Sequence, residues 1–337
     1  MQSRTIFFTA PGKAELLSRE VRQPGENEVV VKLHVTTVSA GTERANLIGE
    51  ESLSPTRPPR KAEYPMCIGY AGGGEVVQVG SRVTKVKVGD RVATRWGQHS
   101  QYITVPEANV TKLPDDITYS QASLSFIATF SMAGVRKTRI ELGQSGIVMG
   151  LGILGLFSVM FMKAAGAVPV IAVDPNGERR RLALEVGADY ALDPFEEGFA
   201  DKVKQLTGGG ANAAVEVTGS GKALDQVLDC MAKFGVVSLL GCTRHSDFTI
   251  DYYRKVHGPG VTLIGAHTIA RPVSESSRDF WSYEDEHKAI FKLILGNRIS
   301  FDKIVSEVHS PEDAPEVYER LASGSFPIGV QFDWTKL

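Results

Sequence analysis

The sequence predicts an α/β protein, a β-rich N-terminal domain followed by a doubly wound parallel sheet, and three observations carry that reading. Between residues 5 and 110 the segments are short, rich in Val, Ile and Thr, and broken by glycine turns, which is an all-β pattern. From about residue 123 apolar runs alternate with helix-length segments, as in a parallel sheet joined by crossover helices. One of those runs enters the turn Gly150-Leu151-Gly152-Ile153-Leu154-Gly155. The 337 residues are enough for two ordinary domains, each with its own core.

Taken in order, strands are expected at 28–38, 74–79, 90–94 and 101–105. The stretch 50–63, with Pro55, Pro58 and Pro59 among charged residues, reads as an exposed loop. Sheet strands follow at 145–149, 168–173, 213–217, 236–240 and 261–264. The apolar stretch 147–173 is interrupted by Lys163, Pro169 and glycines, so it reads as a buried βαβ unit and not as a membrane span. After Glu284 an amphipathic helix (286–295), a strand (304–309), a short helix (311–323) and a closing strand (328–332) are expected to return to the first domain. The expected division is therefore 1–124 with 268–337, and 125–267.

Composition narrows the function. Lys and Arg number 37 against 39 Asp and Glu, a net charge of −2 with no basic block, which speaks against nucleic acid or an anionic membrane as partner. The three cysteines, Cys67, Cys230 and Cys242, form no CxxC pair, so neither a disulfide framework nor a cysteine-rich zinc site is indicated. The N-terminus has no long apolar core of a secretory signal. These features read as a cytoplasmic, reduced protein acting on a small molecule.

The glycine turn sits where a dinucleotide site needs it, after one strand and before a helix, and the next strand ends at Asp174, 24 residues after Gly150. Gly150 permits the tight turn, Gly152 leaves room for a pyrophosphate at the helix N-terminus, and Gly155 allows close packing. Asp174 would accept both ribose hydroxyls and repel a 2′-phosphate, which favours NAD. Arg179, Arg180 and Arg181 follow closely and keep NADP in play.

Two further segments carry a resemblance. The run Gly69-Tyr70-Ala71-Gly72-Gly73-Gly74-Glu75-Val76-Val77-Gln78-Val79-Gly80, followed by Val88-Gly89-Asp90-Arg91-Val92, is similar to the GHExxGxVxxVG and GDRV signatures of the medium-chain dehydrogenase/reductase superfamily. The segments Ala164-Ala165-Gly166-Ala167 and Glu216-Val217-Thr218-Gly219-Ser220 resemble its nucleotide domain. The resemblance implies a GroES-like catalytic domain, a Rossmann domain and a hydride-transfer cleft between them. It adds Thr218, Gly241 and Ala266, at the ends of sheet strands, to the expected cofactor residues. It also implies a homodimer or homotetramer, paired through the exposed sheet edge near 261–264.

The departures from that family are as informative. Its zinc-dependent branch uses a cysteine in a CGTD-like turn, the histidine of GHE and a later acidic residue or cysteine; those positions here hold Ala40, Tyr70 and Ser125. A zinc-independent enzyme is expected, with donors in place of the metal. Tyr70 is either such a donor or a packing aromatic. Thr42 matches the family hydroxyl that passes a proton, and Glu43 is either a base or a group orienting its neighbours. His99 and Trp96 fall where relatives line the substrate pocket, although His99 is equally readable as a loop histidine without a role. His267, after a sheet strand, is the stronger histidine candidate. Arg271, Arg278 and Trp281 lie in a segment able to cap a cleft or simply to be solvated. His34, His245, His257, His287 and His309 read as structural or surface residues.

The leading expectation is a zinc-independent, NAD-dependent alcohol dehydrogenase acting on a secondary hydroxyl of a sugar, polyol or cyclitol. The alternatives are an NAD(P)H-dependent quinone or enone reductase and a non-catalytic nucleotide-binding protein.

Overall fold

The computed structural model describes residues 1–54, 57–243, 246, 248–324 and 326–337. They form two compact units, Met1–Ile127 with Ile304–Leu337, and Ala128–Lys303.

In the first unit the β-branched runs become mostly antiparallel sheet. The long strand Glu28–Thr37 is its axis, paired with Ala71–Val79, Tyr102–Pro106 and the C-terminal strand Val330–Asp333. Arg91–Arg95 and Val110–Lys112 extend one side, and Glu307–His309 adds parallel to Val330–Asp333 on the other. A smaller sheet holds Gln2–Ala10 between Lys13–Glu20 and Met66–Cys67. Alternating side chains of these strands meet the helix Ala314–Ser323 in one core, where Phe8, Leu33, Val76, Tyr318 and Phe332 are fully or almost fully buried. Burying one such side chain contributes roughly 1.5–3 kcal/mol.

The second unit is a six-stranded parallel sheet in the order Tyr190–Leu192, Val170–Val173, Gly146–Met149, Ala211–Glu216, Met231–Leu239, Thr262–Gly265. Gly146–Met149 is the first strand and lies third, so the chain builds outward from it in both directions. That makes its C-terminal end the switch point of the sheet, where doubly wound folds bind ligands. The apolar stretch after residue 147 is the expected buried βαβ unit, and Ile147, Ile171 and Val173 are wholly enclosed. Among the described residues no helix is long and apolar enough to cross a membrane.

Three expectations are corrected. The stretch 50–63 is not all loop, since Ser52–Ser54 pairs antiparallel with Arg57–Arg60; Pro55 lies outside the described residues, as does His245. Residues 268–303 group with the second unit, because Arg271 pairs with Glu286 there and Phe301 packs on Phe157 at 4.8 Å. The helix in that segment begins at Tyr283, earlier than its apolar period indicates. Ser282 caps it by accepting from the Asp285 amide, and Glu284, Asp285 and Glu286 fill its first turn, where carboxylates complement the helix dipole.

Candidate functional site

In the second unit the glycine turn performs three separate tasks. Gly150 has φ 95°, and its amide donates to the Val173 carbonyl at 2.8 Å. A Cβ on Gly155 would stand 1.9 Å from the Gly150 carbonyl oxygen, so only glycine lets the helix Ile153–Ala164 approach the turn this closely. A Cβ on Gly152, the residue before that helix, would meet nothing within 4 Å. The open face at Gly152 adjoins the first-turn amides of Ile153, Leu154 and Gly155, which have no partner within their own helix, and this is the geometry that receives a pyrophosphate.

Asp174 follows the strand Val170–Val173 and is 5% exposed. One of its oxygens accepts from the Leu151 amide and the other from the Asn176 amide, each at 2.8 Å. Each oxygen keeps lone-pair capacity for a ribose hydroxyl. Arg180 is committed elsewhere, to the Asp174 and Pro175 carbonyls and to Asp193 at 2.9 Å. The Arg179 guanidinium lies 3.7 Å from Asp174, and its amide donates to the side-chain oxygen of Asn176, which caps the helix. Thr218 closes the other side of the turn, within 2.7 Å of a Cβ placed on Gly150. Its hydroxyl and amide donate to Glu216, whose burial raises its carboxyl above the ordinary range. Gly241 donates to the Glu216 carbonyl, and Ala266 to that of Leu239. The expected cofactor residues Gly150, Leu151, Gly152, Asp174, Thr218, Gly241 and Ala266 thus line the C-terminal ends of adjacent strands.

In the first unit Tyr70 precedes the strand Ala71–Val79 and donates to the Ser39 hydroxyl. Its ring touches Phe126 edge-on at 5.6 Å and Trp96 at 6.0 Å. Ser39 starts the helix Ala40–Leu47, and its amide donates to Glu43 Oε1 at 2.8 Å. Glu43 is 1% exposed and also meets His99 Nε2, 3.2 Å from each oxygen, and the Tyr318 hydroxyl at 2.5 Å. Burial and the Glu43 charge push the Tyr318 phenol well above its ordinary range, so it remains a donor. On the far side of the imidazole, Nδ1 meets Thr36 Oγ1 at 2.7 Å, and Trp334 Nε1 donates to the same oxygen at 3.0 Å.

This corrects the reading of His99 as a loop or pocket histidine, and of the two roles open to Glu43 it accords with the orienting one. The His99 side chain is wholly buried, with backbone bonds to Ile6 and Ile68 fixing its segment inside the sheet. Three groups meet the buried Glu43 carboxylate: the Ser39 amide, His99 Nε2 and the Tyr318 hydroxyl. Glu43 thus holds Ser39 directly, and His99 braces Glu43 from behind. Thr42 stands exposed on the first turn of the same helix. Ala40 has no donor atom, and the fully buried Ser125 hydroxyl donates to the Ala122 carbonyl at 2.6 Å. Among the described residues no group of three or more His, Cys, Asp or Glu could hold a metal ion.

Arg271 is also turned inward. Its guanidinium pairs with buried Glu286, lies 4.0 Å over the Tyr283 ring and donates to the Thr268 carbonyl at 2.8 Å. Trp281 is covered by the Arg136 guanidinium at 3.4 Å. The pair brace the segment after the last sheet strand and do not present a substrate surface. Lys137 completes the brace by donating to the Gly265 and Ala270 carbonyls. His267, by contrast, is exposed as a residue, and partial desolvation of its ring by its neighbours, together with the nearby Lys137 charge, lowers its pKa from the ordinary value.

Residues that the sequence did not mark are Ser39, Thr36, Tyr318, Trp334, Lys137 and Glu286. The Glu43 to Tyr318 bond spans 275 positions, and no local pattern encodes it. Ser39 was accessible in principle, since a serine before a helix is a capping signal.

Two family descriptions match the chain: an alcohol dehydrogenase GroES-like domain at residues 25–115 and a zinc-binding dehydrogenase at 154–280. L-threonine 3-dehydrogenase of Pyrococcus horikoshii is 29% identical over 95% of both chains. D-guloside 3-dehydrogenase of Escherichia coli is 28% identical over 98% of this chain and 100% of its own. The crystal structure of 2R,3R-butanediol dehydrogenase from Bacillus subtilis superposes with a TM-score of 0.82 at 24% identity, covering 98% of this chain and 99% of that one. Solved structures of this fold include one bound to NADP and one complexed with NADH.

Proposed function

The chain belongs to the medium-chain dehydrogenase/reductase superfamily, on the pattern of its zinc-type alcohol dehydrogenases, and from that premise we propose that it transfers hydride between NAD and a secondary hydroxyl of a sugar, polyol or cyclitol without a catalytic zinc. The observation that carries the reading is the glycine turn at the switch point with Asp174 beside it. A carboxylate there disfavours a 2′-phosphate, and Arg180 is already held by Asp193, which supports NAD over NADP.

Bound NAD supplies the hydride acceptor. The protein must then hold the cofactor and manage the hydroxyl proton. The Gly150–Gly155 turn and Asp174 serve the first task. For the second, Tyr70 is the group at the family's zinc-ligand histidine position, flanked by aromatic rings and hydrogen-bonded to Ser39. On carbonyl reduction its phenol O–H gives its proton to the reacting oxygen, and on alcohol oxidation the phenolate takes that proton back, while Glu43 accepts from the Ser39 amide and so holds the partner that directs the phenol. Zinc independence is supported by the donor set: Ala40 offers none, Ser125 is committed within its own helix, and a lone phenol does not make a zinc site.

Among the described residues no strand pairs with the outer edge of Thr262–Gly265, and we propose that a second copy of the chain covers it. The test of the catalytic reading is NADH formation by metal-stripped protein on a panel of sugars, polyols and inositols. In that assay Tyr70→Phe is expected to lower turnover by about 10²–10⁴-fold while leaving NADH binding unchanged.

A further inference from the structure

Trp96 follows the strand Arg91–Arg95 and takes φ 57°, a left-handed conformation that a bulky residue adopts only where its surroundings impose it. The strain is not repaid by burial, because Trp96 is 46% exposed. Its indole lies edge-on to Phe126 at 5.1 Å and reaches Tyr70 at 6.0 Å. The backbone is therefore held in an unfavourable state that presents a large aromatic face beside the phenol.

An open cavity of about 260 Å³ is lined by Trp96 within the same unit, together with residues that include Arg19, Glu20, Arg22 and Gln98. Arg19 donates to the Gln98 side-chain oxygen and to Cys67 Sγ at 3.2 Å. No carboxylate pairs with it among the described residues. Arg22 is different, closed by both Glu28 oxygens at 2.6 Å. The cavity thus offers a fixed guanidinium, a carboxylate and an amide around an aromatic platform. The guanidinium and amide hydrogens left over from the Arg19 bonds to Gln98 and Cys67, with the Glu20 carboxylate, suit the hydroxyls of a sugar ring, and an aromatic ring suits the C–H face of a saturated one. Arg19 and Glu20 offset each other in charge, which suits a neutral ligand, and the polar lining disfavours an apolar one.

We propose that this cavity is a subsite for a pyranose ring additional to the one that reacts, so that a glycoside is bound more tightly than the free sugar or polyol. The statement about substrate rests on the oxidoreductase reading above; the binding of a pyranose ring to the cavity does not.

The experiment is a titration of tryptophan emission without cofactor, using methyl glycosides of glucose, galactose, mannose and gulose, cellobiose, and sorbitol as the acyclic control. Trp96 is the reporter, since Trp334 is buried and Trp281 lies under Arg136. At least one pyranoside is expected to give a saturable change that sorbitol does not. Trp96→Phe should abolish the signal, and Arg19→Met, or Gln98→Ala should Arg19→Met fail to fold, should weaken binding about tenfold. Absence of saturation with every pyranoside, equal response to sorbitol, or unchanged affinity in the folded variant would overturn the subsite. Pyranoside binding without NADH formation on any substrate would keep the subsite and remove the catalytic reading, so the two fail separately.

Discussion

Asp174 shows how much one carboxylate can decide. It braces the turn through the Leu151 and Asn176 amides, and each of its oxygens keeps lone-pair capacity. Asp174→Ala should weaken NADH binding about 10–100-fold, the loss of charge-assisted hydrogen bonds, and weaken NADPH binding much less, because repulsion of the 2′-phosphate goes with it. Fluorescence titration of both cofactors checks this, and an equal loss for the two would contradict the assigned role. Asp174 was legible because its signal is local, a strand end at fixed spacing from a glycine turn. His99 and Arg271 were not. A histidine or arginine announces its chemistry but not its partners, and here those partners, Glu43 and Glu286, turn both side chains into the interior.

The helix Tyr283–Leu295 illustrates the same limit for an element. Its apolar period was visible, while its start depends on Ser282 and its docking on Glu286. Burial lifts the Glu286 carboxyl from 4.5 to about 7, against the opposing pull of Arg271. The folded state therefore binds this proton more tightly than the unfolded chain. Its contribution is fully present below about pH 4.5 and is lost as pH rises through about 7, of the order of 3 kcal/mol in all. Glu286→Gln should match the parent protein near pH 4.5, gain on it between about pH 4.5 and 7, and keep a constant advantage above that in denaturant unfolding. Parallel stability curves would show that the carboxylate is charged throughout. Strand ends were misplaced by a few residues for a related reason, since pairing partners and not composition fix where a ladder stops.

For the whole molecule, the order of a β-rich and a parallel α/β part could be read from the change of period near residue 123. The assignment of residues 268–303 could not, because it depends on contacts such as Phe157 with Phe301 that pair distant segments. An unpaired edge at Thr262–Gly265 predicts an assembly of even copy number, and light scattering should return an even multiple of the 36.5 kDa chain; a monomer mass would refute the edge-pairing proposal. The most direct test of the central claim is nicotinamide absorbance over time with chelator-treated protein, NAD or NADP, and the sugar, polyol and inositol panel, alongside Tyr70→Phe. The account predicts NADH formation that survives complete zinc removal, prefers NAD and collapses in the Tyr70 variant; turnover that vanishes with the metal and returns when zinc is restored would contradict it.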